Sequence, residues 1–428
     1  MELAQAMKSR ETGGQHRVRS HSSSVGANLP REWPLVPLGS LCSFTNGVNA
    51  EKGAYGSGVP FANVLEVINN THLRSTDIPG RVTLSKSQIE AFCVRRGDVL
   101  FNRTSETQEE VGLSAVYEDD ELIVFGGFVI RGRFLDGSMD FGYAGYGFRA
   151  PEVRAQIIAQ GQGAIRANIG QSNLSSVLVP VPPLAEQRAI AEALSDVDGL
   201  LTALEALIAK KRAVKHVSMR QLLTGKIRLP GFSRQWDERR LGEVLQFQVG
   251  CPFSSYYFTG EEIGLRLIKN HDLKADDEVV YYNGPYMEDF TVSTGDLLVG
   301  MDGDFLACLW KGGRALLNQR VGRIRASAGL DVNFAYYYLG EPLKEIERTT
   351  SSTTVKHLSH GDVEGITALL PDISEQIAIG TVLSNIDADI AALETRLDKT
   401  RAIKHGMMQQ LLTGRIRLMK PQPSEANA

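Results

Sequence analysis

Residue types that usually carry catalysis or bind metals are present, but not at the spacings that these functions require. The four cysteines lie far apart and form no Cys-x-x-Cys pair, which argues against a zinc site and against a disulfide framework. No group of His, Asp and Glu residues has the spacing of metal ligands. We therefore expect free thiols in a reducing compartment, no metal site, and no cofactor bound by this chain. The cysteines are Cys42, Cys93, Cys251 and Cys308.

Sequence motifs for nucleotide-dependent chemistry are also missing. There is no G-x-x-x-x-G-K-[ST] loop for the phosphates of ATP, and no Asn/Asp-Pro-Pro-aromatic segment of the type used by adenine methyltransferases. The glycine pairs Gly126-Gly127 and Gly312-Gly313 lack the strand–loop–helix spacing of a nucleotide-binding fold, so we interpret them as turns or strand kinks. The sequence therefore predicts no catalytic residue and favours a function in recognition.

One long segment of the sequence occurs twice. Residues 186–229 and 375–418 align without a gap, with about half of the positions identical. In both copies apolar residues recur at steps of four and three, which predicts a helix with a coiled-coil seam over almost three heptads. The seam residues are Ile190, Leu194, Val197, Leu201, Leu204 and Ile208 in the first copy, and Ile379, Leu383, Ile386, Ile390, Leu393 and Leu397 in the second.

Proline and glycine mark the ends of both helices. Pro182-Pro183 and Pro371 precede them. Since a helix cannot extend backward through proline, each helix is expected to begin directly after these residues. Gly225 and Gly414 follow them, as is typical of a helix C-terminus. The spacing predicts two helices of about 38 residues each. Since each apolar seam needs a partner and the other seam matches it, we expect the two helices to pack antiparallel.

The segments outside the helices share landmarks although their sequences differ. We call residues 31–181 head 1 and residues 232–370 head 2. Each begins with a tryptophan (Trp33 or Trp236) followed by Leu-Gly, and each carries a Gly-Asp pair before an apolar run. Short β-rich runs broken by Gly, Asn and Asp indicate a mixed α/β (α+β) fold. The predicted architecture is two pseudo-symmetric α/β heads, held at a fixed separation by two long antiparallel helices.

Composition and the two terminal segments give the remaining predictions, on charge, location and the order of the domains. The net charge of −4 does not by itself indicate a nucleic-acid-binding protein. No run of 18 apolar residues occurs and the first thirty residues have no apolar signal core, so we expect a cytoplasmic protein. The predicted order is a disordered extension (1–30), head 1 (31–181), a first helical region (182–231), head 2 (232–370), a second helical region (371–420) and a flexible tail (421–428).

The repeated motifs resemble the conserved regions of a known family. PPLAEQ, at residues 182–187, and QLLTGKIRL, at 221–229, recur as PDISEQ, at 371–376, and QLLTGRIRL, at 410–418. They resemble the specificity (S, HsdS) subunits of type I restriction–modification systems. The resemblance extends from about residue 31 to 420, and it departs from the usual form only in lacking the double proline before the second helix.

This resemblance implies a function in DNA recognition. The heads are expected to be target recognition domains, each reading one half of a bipartite, asymmetric sequence in double-stranded DNA. The helices are expected to act as a spacer and to dock two methyltransferase (M) subunits, in a complex that also holds restriction/translocase (R) subunits. This chain would itself be non-catalytic, whereas its partners would use S-adenosylmethionine, ATP and Mg²⁺.

Polar loop residues at matched positions of the heads are the candidates for DNA contact. Arg and Lys bind phosphates, while Arg, Asn, Gln, Ser and Thr reach base edges. A solvated loop residue or a cap remains the alternative at each position, and Arg131, Arg133, Arg323 and Arg325 are equally compatible with surface ion pairs. The candidates are Asn102, Arg103, Thr104, Arg166, Asn168, Gln171 and Asn173 in head 1, and Lys269, Asn270, Asn318, Gln319, Arg320, Thr353, Thr354, Lys356 and His357 in head 2.

Polar residues that recur on both helices are the candidates for partner docking. Their recurrence fits one partner bound twice, but also simple inheritance from the duplication. They are Lys215, His216 and Gln221 in the first copy, and Lys404, His405 and Gln410 in the second.

Two other functions stay open at this point. One is a coiled-coil protein–protein scaffold with two ligand-binding heads and no role on DNA. The other is an autonomous nuclease or methyltransferase. Diverged heads on closely similar helices favour DNA recognition, because recognition surfaces diversify with their targets while a docking helix for a shared partner does not. Salt-sensitive DNA affinity would distinguish a DNA-recognition subunit from the scaffold.

Overall fold

The computed structural model describes residues 29–163, 166–275, 277–350 and 356–419. The predicted extension 1–30, apart from its last two residues, and the predicted tail 421–428 lie outside the described residues. The described chain divides into two compact units. Unit 1 draws on residues 1–202 and 398–428, and unit 2 on residues 203–397. Each unit therefore contains one head and part of each repeated helical segment.

Head 1 consists of short strands and short helices. Its strands are β1 (Leu35–Pro37), β2 (Cys42–Asn46), β3 (Tyr55–Ala62), β4 (His72–Leu73), β5 (Arg81–Val82), β6 (Cys93–Val94), β7 (Val99–Asn102), β8 (Thr104–Ser105), β9 (Ser114–Tyr117), β10 (Ile123–Phe125), β11 (Val129–Phe134), β12 (Ala167–Asn168) and β13 (Leu178–Pro180). Its helices are α1 (Leu38–Leu41), α2 (Val64–Asn69), α3 (Lys86–Phe92), α4 (Phe141–Gly147), α5 (Pro151–Gln160) and α6 (Gln171–Ser175), followed by the long helix α7 (Leu184–Leu222). The main sheets have the strand orders β2-β11-β7-β9-β4 and β5-β3-β10-β6.

Head 2 has the same kind of construction. Its strands are β14 (Asp237–Arg240), β15 (Leu245–Val249), β16 (Phe258–Thr259), β17 (Leu265–Ile268), β18 (Tyr281–Tyr282), β19 (Thr291–Val292), β20 (Leu297–Gly300), β21 (Ala307–Leu309), β22 (Ala315–Leu317), β23 (Val321–Ala326) and β24 (Thr367–Leu370). Its helices are α8 (Val332–Thr349) and α9 (His360–Glu364), followed by the long helix α10 (Ile373–Leu411). The main sheets have the orders β15-β23-β20-β21 and β16-β18-β17-β22-β19.

The two heads share a structural framework. In head 1, β11 lies antiparallel between β2 and β7, and in head 2, β23 lies antiparallel between β15 and β20. The apolar runs of β7 and β20 are buried at every position, as expected of strands covered on both faces. A short antiparallel pair, β1-β13 or β14-β24, joins the start of each head to the strand before its long helix. The predicted pseudo-symmetric, mixed α/β architecture is confirmed.

The long helices begin and end where proline and glycine predict. Helix α7 follows Pro183 directly, and the carboxylate of Asp372 accepts the backbone N–H of Glu375 at 3.0 Å in the first turn of α10. Both helices contain 39 residues. Gly225 and Gly414 have φ values of 67° and 66°, a left-handed conformation that glycine adopts without steric cost.

Within each unit the long helices run antiparallel. In unit 2, Lys211 pairs with Asp389 at 2.7 Å, and Lys215, one turn later on α7, pairs with the earlier residue Asp387 at 2.5 Å. In unit 1, Lys404 near the end of α10 pairs with Asp198 near the start of α7 at 2.5 Å. Residues later in one helix therefore contact residues earlier in the other, so the two helices are antiparallel within each unit, as predicted.

The predicted seam serves two purposes, and only one of them was expected. None of the twelve seam residues is exposed. However, Ile190 and Leu194 belong to the core of head 1, and Ile379 and Leu383 to the core of head 2. These four residues therefore pack into a head core, and the same clusters also contain an apolar residue of the other long helix, Leu411 in unit 1 and Leu222 in unit 2. The reason is that each helix first crosses the head from which it emerges, so the same apolar stripe fills that core.

None of the helices within the described ranges is long and apolar enough to cross a membrane.

Candidate nucleic-acid interface

A buried ion pair attaches the ends of the long helices to head 1. The carboxylate of Glu186 is almost fully buried, and Arg417 donates to it from Nε and Nη2 at 2.6 and 2.5 Å. Trp33 donates its Nε1–H to the same carboxylate at 3.3 Å, and the Arg417 guanidinium lies 5.5 Å from the centre of the Trp33 ring. The hydrogen bonds to this carboxylate raise the pKa of the Arg417 guanidinium. We call this group the Trp–Glu–Arg cluster of unit 1.

Unit 2 contains the same cluster. Arg228 donates to the fully buried carboxylate of Glu375 at 2.6 and 2.5 Å, and Trp236 donates at 3.1 Å. The guanidinium lies 5.4 Å from the Trp236 ring centre, and the hydrogen bonds that it donates to Glu375 raise the pKa of Arg228. The Glu of each EQ motif and the Arg of each IRL motif are therefore structural partners, brought together from different repeats.

The glutamine of each EQ motif closes the junction between head and helix. Gln187 accepts the backbone N–H of Asp140 at 2.7 Å and donates to the carbonyls of Pro182 and Ser138 at 2.7 and 2.9 Å. Its side chain is buried, so these three bonds satisfy polar atoms that water does not reach. Gln376 makes the equivalent three bonds in unit 2, each at 2.9 Å.

Lys215, a predicted docking residue, is mostly buried and contacts groups of its own unit. Its Nζ lies 2.5 Å from the Asp387 carboxylate and 5.4 Å from the centre of the Tyr337 ring. Tyr337 donates its hydroxyl to Asp387 at 2.6 Å. Burial, followed by that hydrogen bond and the charge of Asp387, raises the pKa of the Tyr337 hydroxyl.

Unit 1 repeats this arrangement with Lys404. The Lys404 ammonium lies 2.5 Å from Asp198 and 5.7 Å from the centre of the Tyr146 ring, and Tyr146 donates to Asp198 at 2.8 Å. Both lysines therefore have a structural contact within their own unit, and docking of a partner through them stays a prediction. They recur because each fixes a tyrosine of a head and an aspartate of one long helix to the other helix.

The remaining docking candidates have other surroundings. The backbone carbonyls of Gln221 and Gln410 accept the N–H groups of Ile227 and Ile416 at 3.3 and 3.2 Å, which closes the loop after each helix. His216 and His405 are exposed. His216 lines an open groove of about 680 Å³ together with Met219, Arg220, Leu223, Thr224, Lys226, Tyr338, Glu341 and Pro342. Docking through the two histidines stays a prediction.

In head 2, candidates from three distant segments meet at Asp302, which follows strand β20. Arg320 lies 3.1 Å from its carboxylate, and His357 Nδ1 lies 2.8 Å from Oδ1. Asn270 donates from Nδ2 to the backbone carbonyl of Asp302 at 2.7 Å, while Asn270 Oδ1 is buried without a hydrogen-bond partner in the described chain. The fold thus gathers two basic side chains around one acidic residue that the sequence did not single out.

The other candidates of head 2 surround this group less closely. Asn318 accepts the backbone N–H of Gln319 at 2.9 Å, and Gln319 itself is exposed. Lys356 donates from Nζ to the backbone carbonyl of Glu347 at 2.5 Å, so part of its binding capacity is already used. Lys269 makes a long, 4.0 Å ion pair with Glu278.

Thr353 and Thr354 lie outside the described residues.

In head 1, the short strand pair β8-β12 brings candidates together. Thr104 donates its hydroxyl to Asn168 Oδ1 at 2.6 Å, at the position that the Asp302–His357 pair occupies in head 2. Arg166 is exposed and lies 3.7 Å from Glu106. Arg103 is half-buried and donates from Nη1 to the Gly127 carbonyl at 3.4 Å.

Asn102 does not fit a contact with DNA, whereas Asn173 is half-buried. Asn102 is fully buried, and its amide donates to the Glu110 carbonyl at 3.1 Å and accepts the Thr104 N–H at 3.3 Å. Asn173 donates to the Gln160 carbonyl at 3.0 Å. The buried Asn102 amide holds loop backbone, which corrects the prediction for that residue, while contact of Asn173 with DNA stays a prediction. Gln171 begins α6 and is half-buried.

The paired strand arginines support the framework of each head. Arg133 donates to the buried carboxylate of Asp98 at 2.8 and 2.6 Å, which explains the Gly-Asp landmark. Arg131 is buried and donates to the Cys93 carbonyl at 2.5 Å. On β23, Arg323 is buried and both it and Arg325 donate to the side chain of Gln248.

One position at the interface was missed by the sequence interpretation. Residues 126–129 and 318–321 form equivalent β-turns, which we call the matched turns. Their equivalence rests on backbone hydrogen bonds: Arg103 N–H donates to the Phe128 carbonyl at 2.8 Å, and Met301 N–H donates to the Arg320 carbonyl at 3.1 Å. Phe128 and Arg320 thus occupy the same place. The interpretation of Gly126-Gly127 as a turn is confirmed. The sequence analysis did not select Phe128, the large apolar residue that follows the two glycines.

Phe128 separates two grooves on head 1. One has a volume of about 450 Å³ and includes Asn49, Tyr55 and Arg81. The other, of about 490 Å³, includes Thr104 and Arg166. The Phe128 side chain lines both grooves and is 55% exposed. Donors, cations, carboxylates and an apolar tip therefore lie on one surface, and the donors and the apolar tip are groups that can contact base edges.

No group of three or more His, Cys, Asp and Glu residues in the described ranges could hold a metal ion.

Comparison with known proteins places the chain among restriction–modification proteins. The chain is 33% identical over 186 residues to the specificity subunit of the type I restriction enzyme EcoBI from Escherichia coli, and this alignment covers 42% of the chain and 39% of that protein. It is 25% identical over 420 residues to the putative type I restriction enzyme MjaX specificity subunit from Methanocaldococcus jannaschii, covering 91% of the chain and 95% of that protein.

Solved structures share the fold. The S subunit of a type I restriction–modification system from M. genitalium matches with a TM-score of 0.59 at 18% identity, covering 90% of this chain and 96% of that one. A chain from a structure describing complex assembly and conformational transition of the type I R-M system matches with a TM-score of 0.56 at 18% identity, covering 91% and 99%. The family model described as type I restriction modification DNA specificity domain matches residues 153–215 and 233–400, more than half of the sequence. The chain therefore belongs to the type I restriction–modification DNA specificity family.

Proposed function

We propose that this chain is the DNA-recognition subunit of a type I restriction–modification complex and that each head reads one part of a split target in double-stranded DNA. The observation that carries the proposal is a contrast between two sets of residues. The Trp–Glu–Arg clusters, the EQ glutamines and the lysines that hold the helices are the same in both units. The exposed side chains on the shared framework differ, with Phe128 in one matched turn and Arg320 in the other.

This contrast fits recognition of two different sequences. A shared framework with different exposed side chains presents different hydrogen-bonding and apolar groups to a DNA groove. Arg166 in head 1 and Lys269 in head 2 are suited to phosphate contacts, which fix position without selecting sequence. Asn168, His357 and Arg320 are suited to base edges, because each offers directional donors.

We further propose that the long helices bind the catalytic partners. The residues of the Trp–Glu–Arg clusters and the EQ glutamines contact the heads. The partners would therefore bind the exposed polar faces of α7 and α10, including His216 and His405. Two methyltransferase subunits and the restriction/translocase subunits would bind in the cytoplasm. S-adenosylmethionine, ATP and Mg²⁺ would be used by those partners, while this chain supplies positioning and no catalytic group.

The test is a map of methylated bases in host DNA with and without this gene. Deletion should abolish methylation of one split, asymmetric motif, and the intact gene should restore it. Replacing residues 31–181 with the corresponding segment of another family member should alter one half of the motif and leave the other unchanged. An unchanged map, together with a reconstituted complex whose DNA binding is absent or insensitive to salt, would favour a scaffold without a role on DNA.

A further inference from the structure

We propose that the third residue of each matched turn reads a base, Phe128 in head 1 and Arg320 in head 2. One half of the target then contains a thymine recognised through its methyl group. The other half contains a guanine recognised through N7 and O6. This inference rests on the proposed function and specifies which residue selects one base in each half.

The backbone places both side chains at the same point of the framework. In each turn the carbonyl of the first residue accepts the N–H of the fourth at 2.9 Å, from Val129 in head 1 and from Val321 in head 2. The strand that follows the Gly-Asp landmark ends next to this turn and donates to the carbonyl of the third residue, Phe128 or Arg320. Two diverged heads thus present one exposed side chain from the same rigid position.

The exposure of Phe128 is not explained by packing. More than half of its surface is open to solvent, so it adds little to the core of head 1. It lies between two grooves. The second is lined by Thr104, Thr107 and Arg166 together with Glu106 and Glu110, and Arg166 lies 3.7 Å from Glu106. A phenyl ring among donors and a cation can contact the 5-methyl group of thymine while its neighbours bind the DNA backbone.

Arg320 is held in a way that suits guanine. Its side chain is 53% exposed, and Nη1 donates a hydrogen bond to Asp302 Oδ1 at 3.2 Å and lies 3.1 Å from Oδ2 in the same ion pair. Among the described residues no hydrogen bond runs from Nε or Nη2, so their N–H groups can serve a ligand. Two parallel N–H donors match the O6 and N7 acceptors of guanine in the major groove. Asp302 is a positioning residue, since it orients the guanidinium and the neighbouring His357 without reaching the base itself.

Substitutions in the full complex test the proposal. Phe128→Ala should relax one thymine position in the half read by head 1, and Arg320→Ala one guanine position in the half read by head 2. In each case the preference for the correct base over the other bases at that position should fall about tenfold or more. Asp302→Asn should relax the same guanine position less strongly, a readout that a stability defect alone would not produce.

Matched controls come from the same heads. Leu135 is a large, 60% exposed apolar residue of head 1, and Arg348 is an exposed arginine of head 2 that pairs with Glu345 at 2.6 Å. Leu135→Ala and Arg348→Ala should leave the methylated motif unchanged. Relaxation of the same positions by the controls would overturn the assignment.

A second measurement uses the wild-type complex and altered DNA, so it does not depend on how variants fold. Uracil in place of thymine removes only the methyl group, and 7-deazaguanine removes the N7 acceptor. Binding should weaken about tenfold at one thymine and at one guanine, in different halves. If the wild type methylates a split motif but neither analogue weakens binding, this inference fails and the proposed function stands. If no motif or DNA affinity is found at all, the proposed function itself fails.

Discussion

Replacement of Glu375 by alanine removes the acceptor at the centre of the Trp–Glu–Arg cluster of unit 2. The carboxylate is fully buried and accepts two hydrogen bonds from Arg228 and one from Trp236. The substitution leaves an arginine whose side chain is only one-quarter exposed without its counter-ion. Breaking a buried ion pair by removing one partner costs about 3–5 kcal/mol.

Partial access of water to Arg228 lowers this figure, because solvent can hydrate part of the orphaned guanidinium. We expect a loss on the order of 3 kcal/mol in the free energy of unfolding of unit 2. For a domain of this size the midpoint of thermal unfolding should fall by roughly 6–12 °C. The assay is thermal and urea unfolding, monitored by tryptophan fluorescence because Trp236 belongs to the cluster.

An exposed ion pair on the same helix provides the control. Lys211 and Asp389 lie 2.7 Å apart, and both side chains are more than one-third exposed. Asp389→Ala should therefore cost no more than about 0.5 kcal/mol. The double variant of Glu375→Ala with Arg228→Ala should be less destabilised than the sum of the single variants, since it leaves no unpaired charge. A loss for Glu375→Ala no larger than for Asp389→Ala would refute the reasoning.

Three further predictions concern residues that the structure reassigns or explains. Lys404→Ala should destabilise unit 1 by about 1–2 kcal/mol, because it removes a charge-assisted hydrogen bond and an aromatic contact. The neighbouring variant His405→Ala should leave the unfolding midpoint unchanged and instead weaken pull-down of the methyltransferase subunit. Equal stability of the two variants would contradict the structural role of Lys404. Gln376→Ala should cost about 2–4 kcal/mol, because it leaves a buried N–H and two carbonyls without partners, and denaturant unfolding would measure it. Asn102→Ala should cost about 1–3 kcal/mol for the same reason while the methylated motif keeps its sequence, and a change in base preference would return Asn102 to the DNA contacts.

The sequence alone determined the long helices and the duplication. Their apolar periodicity, the prolines before them and Gly225 and Gly414 after them are local signals, because helix formation depends on residues within a few turns. The pseudo-symmetric pair of heads also followed from the sequence, since matched landmarks need only a comparison of two segments. The boundaries 31–181 and 232–370 stay predictions.

Only the tertiary structure decided what the recurring polar residues do. Glu186 and Arg417 are separated by 231 positions, and their pairing exists only because the helices run antiparallel. Asn102 and Arg103 look equally suited to DNA contact in the sequence, yet one is buried and the other half-buried. A polar residue after a strand turns inward or outward according to which carbonyls lie nearby. Those carbonyls come from distant segments, so the pattern of neighbours in the sequence does not contain the answer.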